Sequence, residues 1–223
     1  MIINIKPEVL DFVENVRPHI LGNQSHPYQT LLICDTVKDI EGDFVECGVA
    51  YGGTAGVMGK YLQSIDSKKR LHLFDSFEGI PYPTEKDGVP IDGKQFPKTG
   101  ELISTGISSC SLNQVRYNMD KWEIPQKMLM YYKGWLENSL PICSKSIDKI
   151  AFLRIDVDLY RPTLLCLRYL YDKVSSGGYI MVHDDEKALA GPRKAVADFI
   201  KNKRKGIKIG HFPDGGGLYW RKP

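Results

Sequence analysis

Apolar and polar positions alternate along this chain with two periods that take turns. Residues 6–16 have the three-to-four spacing of a short amphipathic helix, stopped by Pro18. Residues 28–40 predict a second, more apolar helix containing Leu31, Leu32, Ile33, Val37 and Ile40. A short β-branched run between glycines, Gly42-Asp43-Phe44-Val45-Glu46-Cys47-Gly48-Val49, then predicts a buried strand. The alternation continues with helix 54–64, strand 70–75, helix 113–121, and strands 128–132 and 149–156. Helix 162–173 follows, then a turn at Gly177-Gly178 into strand 179–183, and helix 191–202. Gly215-Gly216-Gly217 ahead of Leu218-Tyr219-Trp220 predicts a terminal hairpin or edge strand. Strands alternating with helices predict an α/β sandwich on a mainly parallel sheet.

Residues 79–105 break the rhythm. Pro81, Pro83, Pro90 and Pro97 fall there with Gly79, Gly88, Gly93 and Gly100. An aperiodic stretch longer than about 15 residues has two readings, a surface insertion or a lid over a site.

Length and composition narrow the class. A chain of 223 residues, 42% hydrophobic and 26% charged, is ordinary for one folded domain. Lys and Arg number 30 against 27 Asp and Glu, and a net charge of +3 is too small to suggest a nucleic-acid partner. The basic run at 201–208 has no interleaved aromatics and reads as a solvated helix end. Cys34, Cys47, Cys110, Cys143 and Cys166 are odd in number and scattered, without a CxxC pair or a Cys/His cluster. That disfavours zinc and suits a reducing cytoplasm. Glu8, Asp11, Glu14 and Pro18 interrupt the first twenty residues, so a signal peptide is not expected. No run approaches the roughly 18 apolar residues of a membrane span.

Two groups of residues carry chemistry. The first strand leads into Ala50-Tyr51-Gly52-Gly53-Thr54, and the second ends on Asp75. Glycines let the backbone turn tightly and approach a ligand, and a carboxylate after the second strand can accept two ribose hydroxyls. Together they point to a nucleoside-containing cofactor. The spacing is neither GxGxxG nor GxxxxGK[ST], so a cofactor without phosphate, such as S-adenosylmethionine, fits better. Glu46 can meet the ammonium of such a cofactor or satisfy local backbone donors. The second group is Asp156, Asp158, Asp184 and Asp185, each at the end of a predicted strand. On a strand, residues i and i+2 share a face, which would put Asp156 and Asp158 together. If the strands are neighbours, the carboxylates converge and a divalent cation relieves their repulsion. All-oxygen ligands favour Mg²⁺, Ca²⁺ or Mn²⁺. The other reading is solvated loop acids, with Asp184 or Asp185 capping a helix. His183, just before that pair, reads as a buried, hydrogen-bonded strand end rather than a ligand.

Five segments in order extend the picture. They are Gly42-Asp43-Phe44-Val45-Glu46-Cys47-Gly48-Val49, Asp75-Ser76-Phe77-Glu78-Gly79-Ile80-Pro81, Lys133-Gly134-Trp135, Arg154-Ile155-Asp156-Val157-Asp158-Leu159-Tyr160, and Gly177-Gly178 followed by Asp184-Asp185. Over about residues 42–220 the chain resembles the macrocin O-methyltransferase family of S-adenosylmethionine- and Mg²⁺-dependent sugar O-methyltransferases. The resemblance implies a class I methyltransferase (Rossmann-like) fold, a seven-stranded sheet with an antiparallel last strand and helices on both faces. It implies one methyltransferase domain over 1–223, with N-terminal helices in 1–41 and a lid at 79–105. It assigns Asp156, Asp184 and Asp185 to the metal and Asp158 to general-base catalysis. Glu46, Gly48, Tyr51, Gly52, Gly53 and Thr54 would hold the methionine end of the cofactor. Asp75 and Ser76 would bind its ribose, and Gly134 and Trp135 would lie near its adenine. The acceptor would be a hydroxyl of a sugar or glycosylated small molecule; a catechol or other phenol is the alternative. The chain departs from the family where Ala50-Tyr51 replaces the usual Trp-Arg and where Glu186 follows the paired acids. The N-terminal helices are candidates for a homodimer surface.

Overall fold

Helices α1 (Pro7–Val16) and α2 (His26–Thr36) precede β1 (Asp43–Cys47). Then follow α3 (Gly53–Ser64), β2 (Leu71–Asp75), α4 (Leu112–Lys121), β3 (Leu129–Lys133) and α5 (Leu136–Cys143). The chain continues through β4 (Ile150–Ile155), α6 (Tyr160–Leu170), β5 (Val174–Val182) and α7 (Gly191–Lys201), and finishes with β6 (Gly210–His211) and β7 (Leu218–Arg221). The structure, a computed structural model, describes residues 5–22, 25–88, 102–183, 190–201, 206–213 and 217–223. Asp184 and Asp185, the middle of the expected lid, and parts of the basic run and of the glycine run lie outside the described residues.

The strands form one seven-stranded sheet in the order β3-β2-β1-β4-β5-β7-β6. The first five are parallel, and β7 runs antiparallel to both β5 and β6. This is the arrangement that the resemblance implied. Alternation along the strands sends side chains to two cores. Phe44, Leu71, Leu73 and Phe152 pack under α1, α2, α3 and α4. Val45, Cys47, Phe74, Leu153 and Ile155 pack under α5, α6 and α7. Among the described residues no helix is long and apolar enough to cross a membrane.

Three elements differ from the sequence-based expectation. Strand β5 begins at Val174 and runs through Gly177-Gly178, where a turn was expected. The partner strand sustains it: Gly177 N–H donates to Lys222 O at 3.0 Å and Lys222 N–H to Gly178 O at 2.8 Å. Gly177 (φ +84°) absorbs the resulting irregularity. Helix α5 escaped notice because it is eight residues long and contains Pro141. The second helix begins at His26 and ends at Thr36, four residues before the expected Ile40.

The described arms of the 79–105 segment are tied together at their base. Ile80 N–H donates to Ile107 O at 3.0 Å and Thr105 N–H to Ile80 O at 2.9 Å, beside an antiparallel bridge between Pro81 and Ser104.

Candidate active site

A cleft of about 290 Å³ opens at the carboxyl ends of β1, β2, β4 and β5. The sheet order reverses direction between β1 and β4, which is where open α/β sheets bind ligands.

The floor of the cleft is a pinch between two strand ends. Gly48 has φ +88°, and a Cβ there would fall 1.8 Å from Asp156 O. Only glycine lets the two chains lie this close. Asp75 then clasps the turn: Oδ2 accepts the N–H of Val49 at 2.6 Å and of Ala50 at 3.1 Å, and Oδ1 accepts Phe77 N–H at 2.7 Å. That clasp holds Ala50 at φ +47°, a left-handed conformation uncommon for alanine.

Gly52 (φ +84°) ends the turn as the N-cap of α3 and offers no side-chain acceptor. Gly53 and Thr54 follow it and line the cleft, so the first N–H groups of α3 open toward it. A Cβ on Gly53 would sit 2.5 Å from His19 O, so this glycine seats the N-terminal segment. His19, Ile20, Leu21 and Gly22 thereby become one wall of the cleft. Ser76 and Trp135 also line it. Tyr51, Gly52 and Gly134 do not: Tyr51 packs against the α1–α4 core, its carbonyl accepting from Asn118 Nδ2 at 3.0 Å. Gly134 donates its N–H to Asp75 O at 2.9 Å, bracing the clasp from behind.

Above the apolar pair Phe44 and Phe152, the next residues on the same face are Glu46 and Arg154, directly paired across β1 and β4. Both are buried, Glu46 at 0% and Arg154 at 2% exposure. The guanidinium divides itself: Nη1 donates to Glu46 Oε1 at 2.8 Å and Nη2 to Asp156 Oδ2 at 3.0 Å. Glu46 Oε2 is buried with no partner among the described residues, in a residue that lines the cleft. Burial pushes the Glu46 carboxyl up to about 8; Arg154 opposes the rise, and Asp156 and Asp75 add to it. For Asp156, burial alone would raise the carboxyl, but the charges of His183 and Arg154 hold it well below the usual carboxylate range. His183 Nδ1 lies 3.3 Å from Asp156 Oδ1, and the ring is buried just beyond β5.

Asp158 also lines the cleft, but by a route other than strand alternation. Strand β4 stops at Ile155. Asp158 has φ +59° and sits at the centre of a γ-turn, with Leu159 N–H donating to Val157 O at 2.6 Å. Asp156 and Asp158 therefore reach one cleft through a tight turn, not through a shared strand face. The other two expected metal ligands, Asp184 and Asp185, lie outside the described residues. Among the described residues no group of three or more His, Cys, Asp or Glu side chains could hold a metal ion.

Three parts of the cleft escaped sequence reasoning. Arg154 had a signal, a cation two positions before Asp156 in an apolar strand. The wall at 19–22 and the direct pairing of Glu46 with Arg154 depend on chain packing and had none.

The family model described as Macrocin-O-methyltransferase (TylF) matches residues 29–222. Demethyldecarbamoylnovobiocin O-methyltransferase of Streptomyces niveus is 32% identical over 186 residues, covering 83% of this chain and 68% of the relative. An 8-demethyl-8-(2,3-dimethoxy-alpha-L-rhamnosyl)-tetracenomycin-C 4'-O-methyltransferase of Streptomyces olivaceus is 31% identical over 205 residues, 90% of this chain and 72% of the relative. Among solved structures, the O-methyltransferase NovP superposes with a TM-score of 0.76 at 26% identity, covering 92% of this chain and 82% of that one.

Proposed function

The chain belongs to the macrocin O-methyltransferase family and is an O-methyltransferase; from that premise we propose that it methylates a hydroxyl of a sugar carried on a small molecule. The donor is S-adenosylmethionine, and Mg²⁺ assists at the acceptor. The observation that carries this reading is a single cleft lined by both a buried carboxylate with an unused oxygen, Glu46, and an acid on a strained turn, Asp158.

The residues fit the donor. Glu46 Oε2 has the unused acceptor capacity for an α-ammonium, whose charge would favour the ionised carboxylate. The uncapped N-terminus of α3, at Gly53 and Thr54, suits the α-carboxylate. Gly48 keeps the floor free of side chain. Asp75 spends most of its acceptor capacity on the turn, and Oδ1 with Ser76 serves the ribose. Trp135 lies against the adenine. Tyr51, Gly52 and Gly134 act behind these contacts by shaping the turn and bracing Asp75. Asp156, together with Asp184 and Asp185 beyond the described residues, would offer the all-oxygen ligands that suit a hard cation.

Bound, S-adenosylmethionine supplies an electrophilic methyl group and Mg²⁺ a Lewis acid for the acceptor oxygen. The chain supplies position and a base. Asp158 accepts the hydroxyl proton at a side-chain oxygen as that hydroxyl attacks. Arg154 and His183 hold Asp156 from two sides. The walls of the cleft, including residues 19–22, align the reactants and exclude water.

The test is Asp158→Asn. S-adenosylmethionine affinity by calorimetry should stay within about twofold. Turnover of simple rhamnosides, such as p-nitrophenyl α-L-rhamnoside, should fall about 10²–10⁴-fold. Near-normal turnover would remove Asp158 as the base. EDTA should abolish transfer and added Mg²⁺ restore it; full activity in EDTA after dialysis would remove the metal. Catechol in the same acceptor screen tests the sugar assignment, because methylation of catechol alone would overturn it.

A further inference from the structure

Asp87 lies in the segment between β2 and α4, on a short 3-10 turn at Glu85–Asp87. It is 1% exposed, an uncommon place for a carboxylate. Its Oδ2 is used locally, accepting from Thr84 N–H at 2.7 Å and from Thr84 Oγ1 at 2.8 Å. Its Oδ1 reaches 73 positions along the chain to accept the N–H of Tyr160 at 2.6 Å.

Tyr160 is the first residue of α6, and the helix's own N-cap, Leu159, supplies no side-chain acceptor. The leading N–H groups of a helix need acceptors from elsewhere. Asp87 therefore caps α6 from the insertion. Two residues earlier stands Asp158 at φ +59°, in the γ-turn closed by Leu159 N–H and Val157 O. A non-glycine residue keeps such a conformation only where its surroundings over-determine it. Downstream of the turn, Thr163 holds the Leu159 carbonyl through its N–H at 3.2 Å and its Oγ1 at 2.7 Å, and Asp87 is the restraint that comes from outside α6.

The contact is guarded on its other side. A Cβ on Gly191, the first residue of α7, would fall 2.2 Å from Asp87 Oδ1 and 2.6 Å from Tyr160 N. The Tyr160 side chain is gripped as well. Lys86 Nζ lies 4.3 Å from the ring centroid, and the hydroxyl donates to Asp198 Oδ2 at 3.0 Å. Three segments distant in sequence thus converge on Tyr160, the residue that follows the turn.

We propose that Asp87 is a positioning residue: by holding the Tyr160 N–H it keeps the 157–159 turn in the conformation that delivers Asp158 to the cleft. The proposal rests on the reading of Asp158 as the base.

The experiment compares Asp87→Ala, Asp87→Asn, Gly191→Ala and Asp158→Asn with the parent protein. The readouts are kcat and KM for p-nitrophenyl α-L-rhamnoside, calorimetric S-adenosylmethionine affinity, and amide exchange at Leu159 and Tyr160. Asp87→Ala should lower kcat at least tenfold and speed exchange at both amides at least tenfold. KM and donor affinity should stay within about twofold. Asp87→Asn keeps one acceptor for Tyr160 N–H but sets its amide nitrogen against Thr84 N–H, so its kcat should fall between those of Asp87→Ala and the parent. Gly191→Ala crowds the contact from the opposite side and should reproduce the loss, which keeps the test decisive if Asp87→Ala folds poorly. Wild-type kcat and exchange in the Asp87 and Gly191 variants, with Asp158→Asn inactive, would overturn the inference and leave the base in place. Equal losses in kcat, KM and donor affinity would overturn it too, marking Asp87 as a general structural residue. Normal turnover in Asp158→Asn would overturn the base reading instead, and exchange at Tyr160 would still report whether Asp87 holds the turn.

Discussion

Glu46 begins as a poor carboxylate. Burial pushes it up to about 8 against the pull of Arg154, so in the ligand-free protein it keeps its proton to a higher pH than an ordinary carboxyl. An ammonium brought against Oε2 reverses the balance, because an opposite charge at hydrogen-bond distance favours ionisation. Donor binding at pH 7 should therefore release protons from Glu46. Calorimetry in two buffers of different ionisation enthalpy measures this, and no net release at pH 7 would count against Glu46 as the ammonium partner. Donor affinity should rise as pH climbs toward 8, since less work is then needed to remove that proton. Gly48 makes a sharper demand. With φ +88° and Asp156 O only 1.8 Å from a Cβ position, Gly48→Ala forces β1 and β4 apart. The expected cost is at least about 2 kcal/mol, combining left-handed strain with backbone displacement, and urea unfolding would read it. Asp158 and Asp75 could be singled out from the sequence because acids at strand ends stand out. The unused oxygen of Glu46 could not, since it follows from which residue of β4 lies opposite, 108 positions away.

At the scale of elements, glycine spacing on α3 explains the packing of its neighbours. Added Cβ atoms on Gly52, Gly56 and Gly59 would meet Met119, Trp122 and Ile124 at 2.8, 2.9 and 2.7 Å. Those side chains belong to α4 and the residues just after it, so the stripe lets that region lie close against α3. Gly53 does the same for the chain leading into α2. Gly53→Ala should push His19 O away and shift the wall at 19–22. Donor affinity should weaken at least tenfold, and the unfolding midpoint should fall as the backbone at His19 is displaced. Unchanged affinity would show that the wall is not part of the donor site. The sequence announced the glycines but not their partners, because contact between α3 and the segment before α2 is a tertiary fact with no local pattern. The link from β4 to α6 is similar. Period-two reasoning brought Asp156 and Asp158 together, and the structure reaches a like outcome through a γ-turn that no hydrophobic period encodes.

Across the whole molecule, the order of strands and helices was legible because each buried strand is a short apolar run flanked by glycine or acid. The strand order 5-7-6 was harder, since β6 has two residues and its pairing is non-local. The cysteines test the packing of both cores at once. Cys34, Cys47, Cys110 and Cys166 are buried, and only Cys143 is partly exposed. Burial pushes the Cys34 and Cys47 thiols well up, which lowers their reactivity further. Ellman's reagent should titrate about one thiol in the native protein and all five in guanidinium; fast reaction of several native thiols would mean looser cores.

The placement of β7 between β5 and β6 bears on how the protein is born. Strands β1 to β5 can pair as they emerge from the ribosome, but the far edge of β5 waits for residues 218–221. Until then that edge is bare and the pocket for Trp220, 1% exposed when folded, stands empty. The nascent chain should therefore present a sticky edge to chaperones until residues 218–221 pair, and a chain truncated before residue 218 should be collapsed but easily cut by protease.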